Sequence, residues 1–499
     1  MLAASTVTAV SAGPAPRVLL VGTWHGMAGG YSSVQQAVDA AHPGDWILVA
    51  PGDYHVADTT KTGIRITTPG IHVRGLDRNG VIIDGTRPGT PRPCDSAATS
   101  LAGQPAGRNG VVVYKADGVS VENMTVCNWM AGSGGGGNQV WFNGGDGSGQ
   151  IGLGRFRGDY LTAWNTFFHG FSQPLAQYGI FASNERGPGV IEHTAAANMA
   201  DSAYYIGACP DCNVVLRDAH GQNSALGYSG SNSGGHLIIE GSEFDHNMAG
   251  MVPNSLNNDD APSPQNGACP GGGTGPTGSH SCTIIRNNHV HDNNNPNVPA
   301  AGITAAAPVG SGIEISGGSN DTIIGNLVDN NGAWGVIIHD FPDTSTPPPV
   351  AHCTGGINLA GAACYFMASG NEVIANVFAH NGFFGNPGNG DVGNAASAVA
   401  PGNCFGGNQD LSGTLTSDPP LIQAVDGLCG GPAPGDFILN NQLLCDSSLV
   451  SSIVPGASCP STPVTSYPRQ TAVSLLALPK EATMPNPCAG VPANPWCPG

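Results

Sequence analysis

The chain has 499 residues, of which 75 are glycine and 40 are proline, while charged residues make up only 10%. Apolar residues still contribute 40%, so the composition excludes a wholly disordered chain and favours a fold with many turns. The net charge of -19 disfavours nucleic acid and anionic membrane surfaces as partners.

The N-terminal segment and the cysteines indicate a secreted protein. Residues 1–16 are rich in small apolar side chains and fit a signal remnant or a disordered N-terminus, and no segment of the chain is long and apolar enough to span a bilayer. Fourteen cysteines form an even set, which predicts disulfides made in an oxidising compartment. We expect local bridges between Cys269 and Cys282, between Cys353 and Cys364, and between Cys209 and Cys212.

Residues 32–41 predict a short helix, because apolar side chains recur there at three- and four-residue spacing. The apolar run 46–50 follows as a strand between two Pro-Gly pairs. Since a solenoid would expose its core and its strand edges at the first coil, we expect this helix to cover that end.

Self-similar segments follow at a period of about 21 to 24 residues, which is typical of a solenoid. Examples are VVLRDAHGQNSALGYSG, LIIEGSEFDHNMAGMVPN and DTIIGNLVDNNGAWGVIIHD. Each unit holds three short apolar strands and an asparagine at one corner, which predicts an all-β, single-domain parallel β-helix with a ladder of stacked asparagines. The predicted ladder contains Asn198, Asn223, Asn247, Asn293, Asn331 and Asn381.

The entry SSVQQAVDAAHPGDWILVAPGDYHV and the coils between about residues 110 and 395 resemble the secreted right-handed parallel β-helix, or pectate-lyase-like, proteins. The resemblance implies a right-handed coil over residues 17–400 and is compatible with several functions. Similar coils occur in carbohydrate-active enzymes and in a protein that assists copper-site assembly. Residues 401–499, rich in cysteine and proline, are predicted to form a disulfide-tied cap at the C-terminal end of the solenoid, with one strand in DFILNNQLL.

Two-residue alternation along the third strand of each coil predicts a groove on one face. Its aromatic side chains, suited to stacking on sugar rings, are Phe181, Tyr205 and Tyr228. Glu314 points outward from an otherwise apolar strand, which makes it the best single candidate for a catalytic carboxylate. Side chains just beyond the strands, and in the insertion that leaves the same edge, complete the candidate set: Glu185, Arg186, Asn254, His339, Asp340, Asn257, Asp259 and Asp260.

Several functions remain open for this groove. Hydrolysis of a polysaccharide needs two carboxyl groups, for which Glu314 would be paired with Asp259, Asp260, Asp340 or Glu185. A calcium-assisted lyase would hold the ion with Asn257, Asp259 and Asp260, and the resemblance implies a basic residue such as Arg186 as the proton acceptor.

The alternatives are a non-catalytic surface or matrix solenoid that binds a polymer, and a metal-handling protein. Copper or zinc would need stacked histidines, but His169, His246 and His380 do not lie on successive coils, so a surface ladder is the simpler interpretation. The expected partner is a polysaccharide or other extracellular polymer, and the chain is expected to be a monomer or a homotrimer.

Overall fold

The structure, a computed structural model, describes residues 15–101, 107–148, 150–257, 269, 282–344, 350–397, 401–426, 435–446 and 465–498. Two long parallel sheets dominate these residues, and the chain alternates between them as it winds. The protein is therefore a right-handed parallel β-helix, as predicted.

Sheet A has 19 strands among the described residues and supplies two sides of each coil. Its strands are Val18–Val21, Trp46–Val49, Gly52–Tyr54, His72–Gly75, Val81–Asp84, Ser120–Cys127, Phe156–Trp164, Gly189–Ala197, Cys209–Gln222, Ser233–Glu240, Glu243–Asp245, Ile284–Arg286, His289–His291, Thr322–Ile324, Leu327–Asp329, Glu372–Ile374, Val377–Ala379, Cys404–Gly406 and Gln409–Asp410.

Sheet B has 11 strands among the described residues and forms the third side. Its strands are Thr62–Ile66, Asn109–Tyr114, Asn138–Asn143, Tyr178–Ser183, Ser202–Gly207, Leu226–Ser231, Ala249–Asn254, Ser311–Ser316, Trp334–His339, Gly390–Ala395 and Ser417–Asp418. Parallel pairing thus continues to Asp418.

Shorter elements lie outside these two sheets. Antiparallel strands pair at Thr23–Trp24 with Met27–Ala28, at Ala131–Gly132 with Gly135–Gly136, and among Phe341–Asp343, Ile357–Leu359 and Ala363–Phe366. The helices are α1 (Val34–Ala40), α2 (Ile422–Asp426) and α3 (Phe437–Asp446), with 3-10 turns at Ala98–Ser100, Gly302–Ala306 and Val350–His352.

The predicted N-terminal helix is confirmed as α1, which begins after Ser33. Its buried side chains Val34, Ala37 and Val38 belong to the same apolar cluster as the solenoid interior. Because α1 contacts strands of both sheets at the first coil, it shields the apolar end of the stack from water.

The predicted asparagine ladder is also confirmed. The side-chain amide of Asn247 donates to Asn293 Oδ1 at 3.0 Å, and Asn293 and Asn331 each donate to the next asparagine at 3.2 Å. A second ladder of stacked asparagines ends at Asn408, whose side-chain amide donates to Gln423 Oε1 of α2 at 3.0 Å. Fully buried amides are therefore satisfied from coil to coil, which fixes the register of the stack.

The prediction of a strand in DFILNNQLL is wrong, because residues 437–446 form α3. Leu439 and Leu443 lie one turn apart and are both buried, so a helical face covers the outside of sheet B beside Trp334 and Ile337. Short apolar runs fit a strand or a helix equally well by pattern, and here the tertiary contact decides for the helix.

A cap at the C-terminal end of the solenoid was predicted for residues 401–499, but residues 465–498 run back along the solenoid toward its first coil. We call residues 465–498 the C-terminal strap. Ser474 N donates to Asn297 O at 2.9 Å, Arg78 Nη1 donates to Ala482 O at 3.0 Å, and Trp496 Nε1 donates to Met27 O at 3.2 Å. The strap thus reaches from a late coil to the first one.

The three predicted disulfides are confirmed, as Cys269–Cys282, Cys353–Cys364 and Cys209–Cys212. Further bridges include Cys94–Cys127 and, within the strap, Cys488–Cys497. Among the described residues, no helix is both long and apolar enough to cross a bilayer.

Candidate functional site

The outward row of sheet B follows the predicted frame at most positions. Phe181 lies in register with Tyr205, and Glu314 lies in register with Ile337. Tyr228 was predicted in this row, but it is aligned with the inward-facing Tyr204 and is fully buried in the solenoid core. Ser229 takes the outward position instead, because it lies in register with Tyr205 and with Val252, whereas Tyr228 is one residue out of that frame.

A pocket of about 140 Å³ lies over this row, and we call it the site pocket. Sheet B supplies one wall, which includes four predicted residues and two serines: Tyr205, Asn254, Glu314, His339, Ser229 and Ser231. The opposite wall is apolar and comes from two segments that cross the face, with Ala306, Ala307 and Pro308 from one and Leu443 and Leu444 from α3. The pocket therefore combines a few polar groups with an apolar surround, as small-ligand sites do.

Glu314 and His339 form a hydrogen-bonded pair in the lining of the site pocket. Glu314 is 4% exposed, and its Oε1 lies 2.9 Å from His339 Nε2. His339 Nδ1 lies 2.8 Å from Asp340 O, and a carbonyl only accepts, so Nδ1 carries a proton. Burial is the largest single influence on the pKa of His339 and lowers it, but the hydrogen bonds to Glu314 and Asp340 and the charges of these two residues together raise the pKa above its ordinary value.

Two oxygens at the pocket have no hydrogen-bond partner among the described residues. They are Glu314 Oε2 and Asn254 Oδ1, and both are buried. Unpaired buried oxygens are costly in a folded protein and are retained mainly where a ligand or water completes them. The geometry therefore leaves acceptor positions for a bound hydroxyl or amide group.

A second acid in the pocket wall, Asp201, was not predicted from the sequence. Its Oδ2 accepts a hydrogen bond from Tyr178 at 3.0 Å, and its Oδ1 accepts one from Ser202 at 2.6 Å. Burial raises the pKa of Asp201 to about 6 despite these bonds. The signal in the sequence was the position of Asp201 directly before Ser202, the first residue of a sheet B strand. Ser202 lies in register with Tyr178, so Asp201 comes close to the Tyr178 side chain.

The raised pKa of Asp201 should make the stability of the folded protein depend on pH. The unfolded aspartate titrates near 3.9, so between about pH 4 and pH 6 the native state binds more protons than the unfolded state, and stability falls as the pH rises. Asp201→Asn stays neutral, so we expect a flatter curve of melting temperature against pH in that window. The exposed Asp39→Asn is the control, and an unchanged slope in the Asp201 variant would contradict the assignment.

An aromatic row, Trp141, Tyr178, Phe181 and Tyr205, extends from the pocket toward the N-terminal coils. Phe181 stacks on Trp141 with ring centres 5.1 Å apart and on Tyr178 at 4.6 Å, and it meets Tyr205 edge-on at 4.7 Å. Trp141, Tyr178 and Phe181 are each partly exposed. Phe181 and Tyr205 were predicted from the sequence, whereas Trp141 and Tyr178 were not, although the register with Phe181 identifies Trp141.

Three other predicted catalytic residues lie away from the pocket lining. Glu185 is fully buried beside the Cys209–Cys212 bridge, and burial raises its pKa well above the ordinary value. Arg186 is bound to Asp117 at 2.9 Å. Asp340 is fully buried and accepts hydrogen bonds from Tyr365, Ala368 N and Ser397 N.

The predicted calcium ligands are only partly within the described residues. Asp259 and Asp260 lie outside them, while Asn257 is buried and its backbone amide donates to Asp343 Oδ2 at 2.7 Å. Elsewhere, acidic groups close enough to share an ion do occur, as at Asp53 and Asp84 with His55. Carboxylates suited to a cation are thus present in the chain.

No known protein family matches the sequence, and neither does any curated protein. Several solved structures are similar to the chain as a whole. The A-module of the mannuronan C-5 epimerase AlgE4 of Azotobacter vinelandii is 11% identical, with 78% of this chain and 90% of that chain covered and a TM-score of 0.41. A mannuronic acid specific polysaccharide family 6 lyase from human gut microbiota is 13% identical, with 79% and 82% covered and a TM-score of 0.43. The pectate lyase Pel9A is 13% identical, with 97% and 94% covered and a TM-score of 0.38.

Proposed function

We propose that the protein is a secreted carbohydrate-active enzyme that cleaves an extracellular polysaccharide, by hydrolysis or β-elimination, in the site pocket. The observation that carries the proposal is Glu314, a buried carboxylate with one oxygen on His339 and the other unpaired. A structural ion pair would satisfy both oxygens, whereas a catalytic carboxylate keeps one for the substrate. The disulfides support secretion.

Hydrolysis would use two acids in different protonation states. Asp201, with a pKa of about 6, is the candidate to protonate the leaving oxygen, while Glu314 is the candidate base or nucleophile. His339 holds the Glu314 carboxylate in position through the 2.9 Å hydrogen bond. These assignments replace the pairing of Glu314 with Asp340 or Glu185, whose carboxyl groups do not line the pocket.

β-Elimination would instead remove a proton next to a uronic acid carboxylate. In that chemistry the Glu314–His339 pair would take the proton, and a cation such as calcium at Asn257, Asp259 and Asp260 would neutralise the substrate carboxylate. Arg186, the proton acceptor expected from the sequence, is a weaker candidate for that role because it already forms an ion pair with Asp117.

The aromatic row is proposed to bind sugar rings next to the cleavage point. Sugar faces stack on partly exposed aromatic rings, so loss of one ring should weaken binding about tenfold, which corresponds to about 1.4 kcal/mol. We therefore expect Trp141→Ala to raise the dissociation constant of a bound oligosaccharide about tenfold, measured by titration calorimetry. The exposed Phe171→Ala, outside the row, should bind normally; equal affinity in both variants would contradict the proposal.

The row also supports a second candidate, a non-catalytic solenoid that binds a polymer by stacking.

Purified protein should be screened against neutral and uronic acid polysaccharides, with and without a calcium chelator. Reducing ends and the ultraviolet absorbance of unsaturated sugars should be followed together. Reducing ends alone indicate a hydrolase, and absorbance that the chelator abolishes indicates a calcium-dependent lyase. Binding without product would contradict the proposal of an enzyme and favour the second candidate. Light scattering separately tests the expectation that the protein is a monomer or a homotrimer.

A further inference from the structure

A cluster of histidines and acids lies on the outer surface of sheet A, on a different side of the coil from the site pocket. Glu243 is in register with His289 on the next coil, and Asp245 is in register with His291. Between them Phe244 and Val290 point inward and are fully buried, so the charged side chains all face outward. Successive coils are about 4.8 Å apart, which brings these side chains within reach of one ion.

We propose that Glu243, His289 and His291 form a binding site for a divalent transition metal ion, with Zn²⁺ as the representative ion. One ligand atom from each of the three residues lies within 4.8 Å of the other two. Ligand atoms around tetrahedral zinc are separated by about 3.4 Å, so a small rotation of exposed side chains closes the site. Two imidazoles and one carboxylate are a donor set that suits zinc or copper and not calcium.

The hydrogen bonds around the cluster prepare both imidazoles for this role. His291 Nδ1 lies 2.8 Å from Asp292 Oδ2, which leaves its Nε2, 3.0 Å from Glu243 Oε1, on the metal side. His289 Nε2 lies 2.7 Å from Asp329 Oδ1, which leaves its Nδ1 as the second donor. A metal-binding histidine commonly gives its other nitrogen to a carboxylate, because this fixes the ring and increases its basicity.

The two imidazole rings are also held together before any ion binds. Their centres are 3.8 Å apart, with an angle of 25° between the planes. The His291 side chain is only 13% exposed, while those of His289 and Glu243 are 39% and 47% exposed. One ligand is thus fixed in the surface, and two are accessible and able to close on an ion from solvent.

The test is calorimetric titration of the untagged full chain with Zn²⁺ at pH 7.5, with Ca²⁺ as a second probe. We expect saturable Zn²⁺ binding with a one-site component that Ca²⁺ does not compete for, and His289→Ala and Glu243→Gln should each weaken it at least about tenfold. His236→Ala is the matched control, because His236 also faces out from sheet A and pairs with a single acid, Asp211. It should bind Zn²⁺ as the parent protein does.

A spectroscopic readout separates loss of the site from loss of the fold. Co²⁺ in the parent protein should give the visible spectrum of a low-coordinate nitrogen and oxygen site, and His289→Ala should lose it while its circular dichroism stays unchanged. Absence of Zn²⁺ binding, or binding equal in all variants, would overturn the proposal. Binding lowered equally by His236→Ala would likewise overturn it in favour of nonspecific histidine contacts.

Discussion

Glu314→Gln should lower turnover of the polysaccharide substrate at least about 100-fold while the protein folds normally. The amide keeps the size of the side chain but can neither accept a proton nor act as a nucleophile, and such groups contribute two to four orders of magnitude to the rate. The amide also removes the negative charge that raises the pKa of His339. The measurement is the initial rate on the substrate found in the screen, with the melting temperature of each variant.

The control for this variant is Glu372→Gln, an exposed glutamate on sheet A, which should retain full activity. Substrate binding to Glu314→Gln should persist, because the aromatic row is unchanged. Full activity in Glu314→Gln would remove this residue from the mechanism. Loss of activity with a collapsed melting temperature would instead give the Glu314–His339 pair a structural role.

Asn198→Ala should destabilise the protein by about 3 kcal/mol and release the C-terminal strap. The Asn198 amide donates to Leu476 O at 2.9 Å and to Asn165 O at 2.6 Å, and Asn198 Oδ1 accepts from Leu476 N at 3.0 Å. Each lost bond costs about 1 kcal/mol net, and the buried partners left behind cost more. Faster hydrogen exchange in residues 474–484 and a lower urea midpoint are the measurements.

Asn198→Gly distinguishes the loss of the side-chain hydrogen bonds from the effect of the substitution on the backbone conformation. Asn198 has φ of +69°, a conformation that glycine adopts freely and alanine does not. The glycine variant should therefore release the strap as the alanine variant does, but should be about 1 kcal/mol more stable. Unchanged exchange in the strap in both variants would contradict the role of Asn198 as its anchor.

The repeat made the coil, the capping helix and the asparagine corners predictable, because each depends on spacing within a unit. The same spacing placed Phe181, Tyr205 and Glu314 on one face, since side chains alternate along any strand. The prediction for Tyr228 was wrong because it took the spacing from Tyr205 one residue too short, and an error of one residue moves a side chain to the other face of a strand.

Contacts between distant segments were not available to this reasoning. Asp201 gains its raised pKa only from the surrounding pocket wall, and α3 is a helix because Leu439 and Leu443 pack against sheet B. The histidine cluster of sheet A needs the register of two coils separated by an insertion, which no local period supplies.

By itself, the sequence determined a stacked coil with its inward and outward faces, because these follow from a short repeat and from alternation, while the right hand of the coil was implied by the family resemblance. Only the tertiary structure decided which outward residues meet in a pocket, which acids are buried and where the C-terminal strap runs. The reason is physical: burial and pairing are set by segments that can be more than 400 residues apart, as between Asn79 and Glu481, and not by neighbours in the chain.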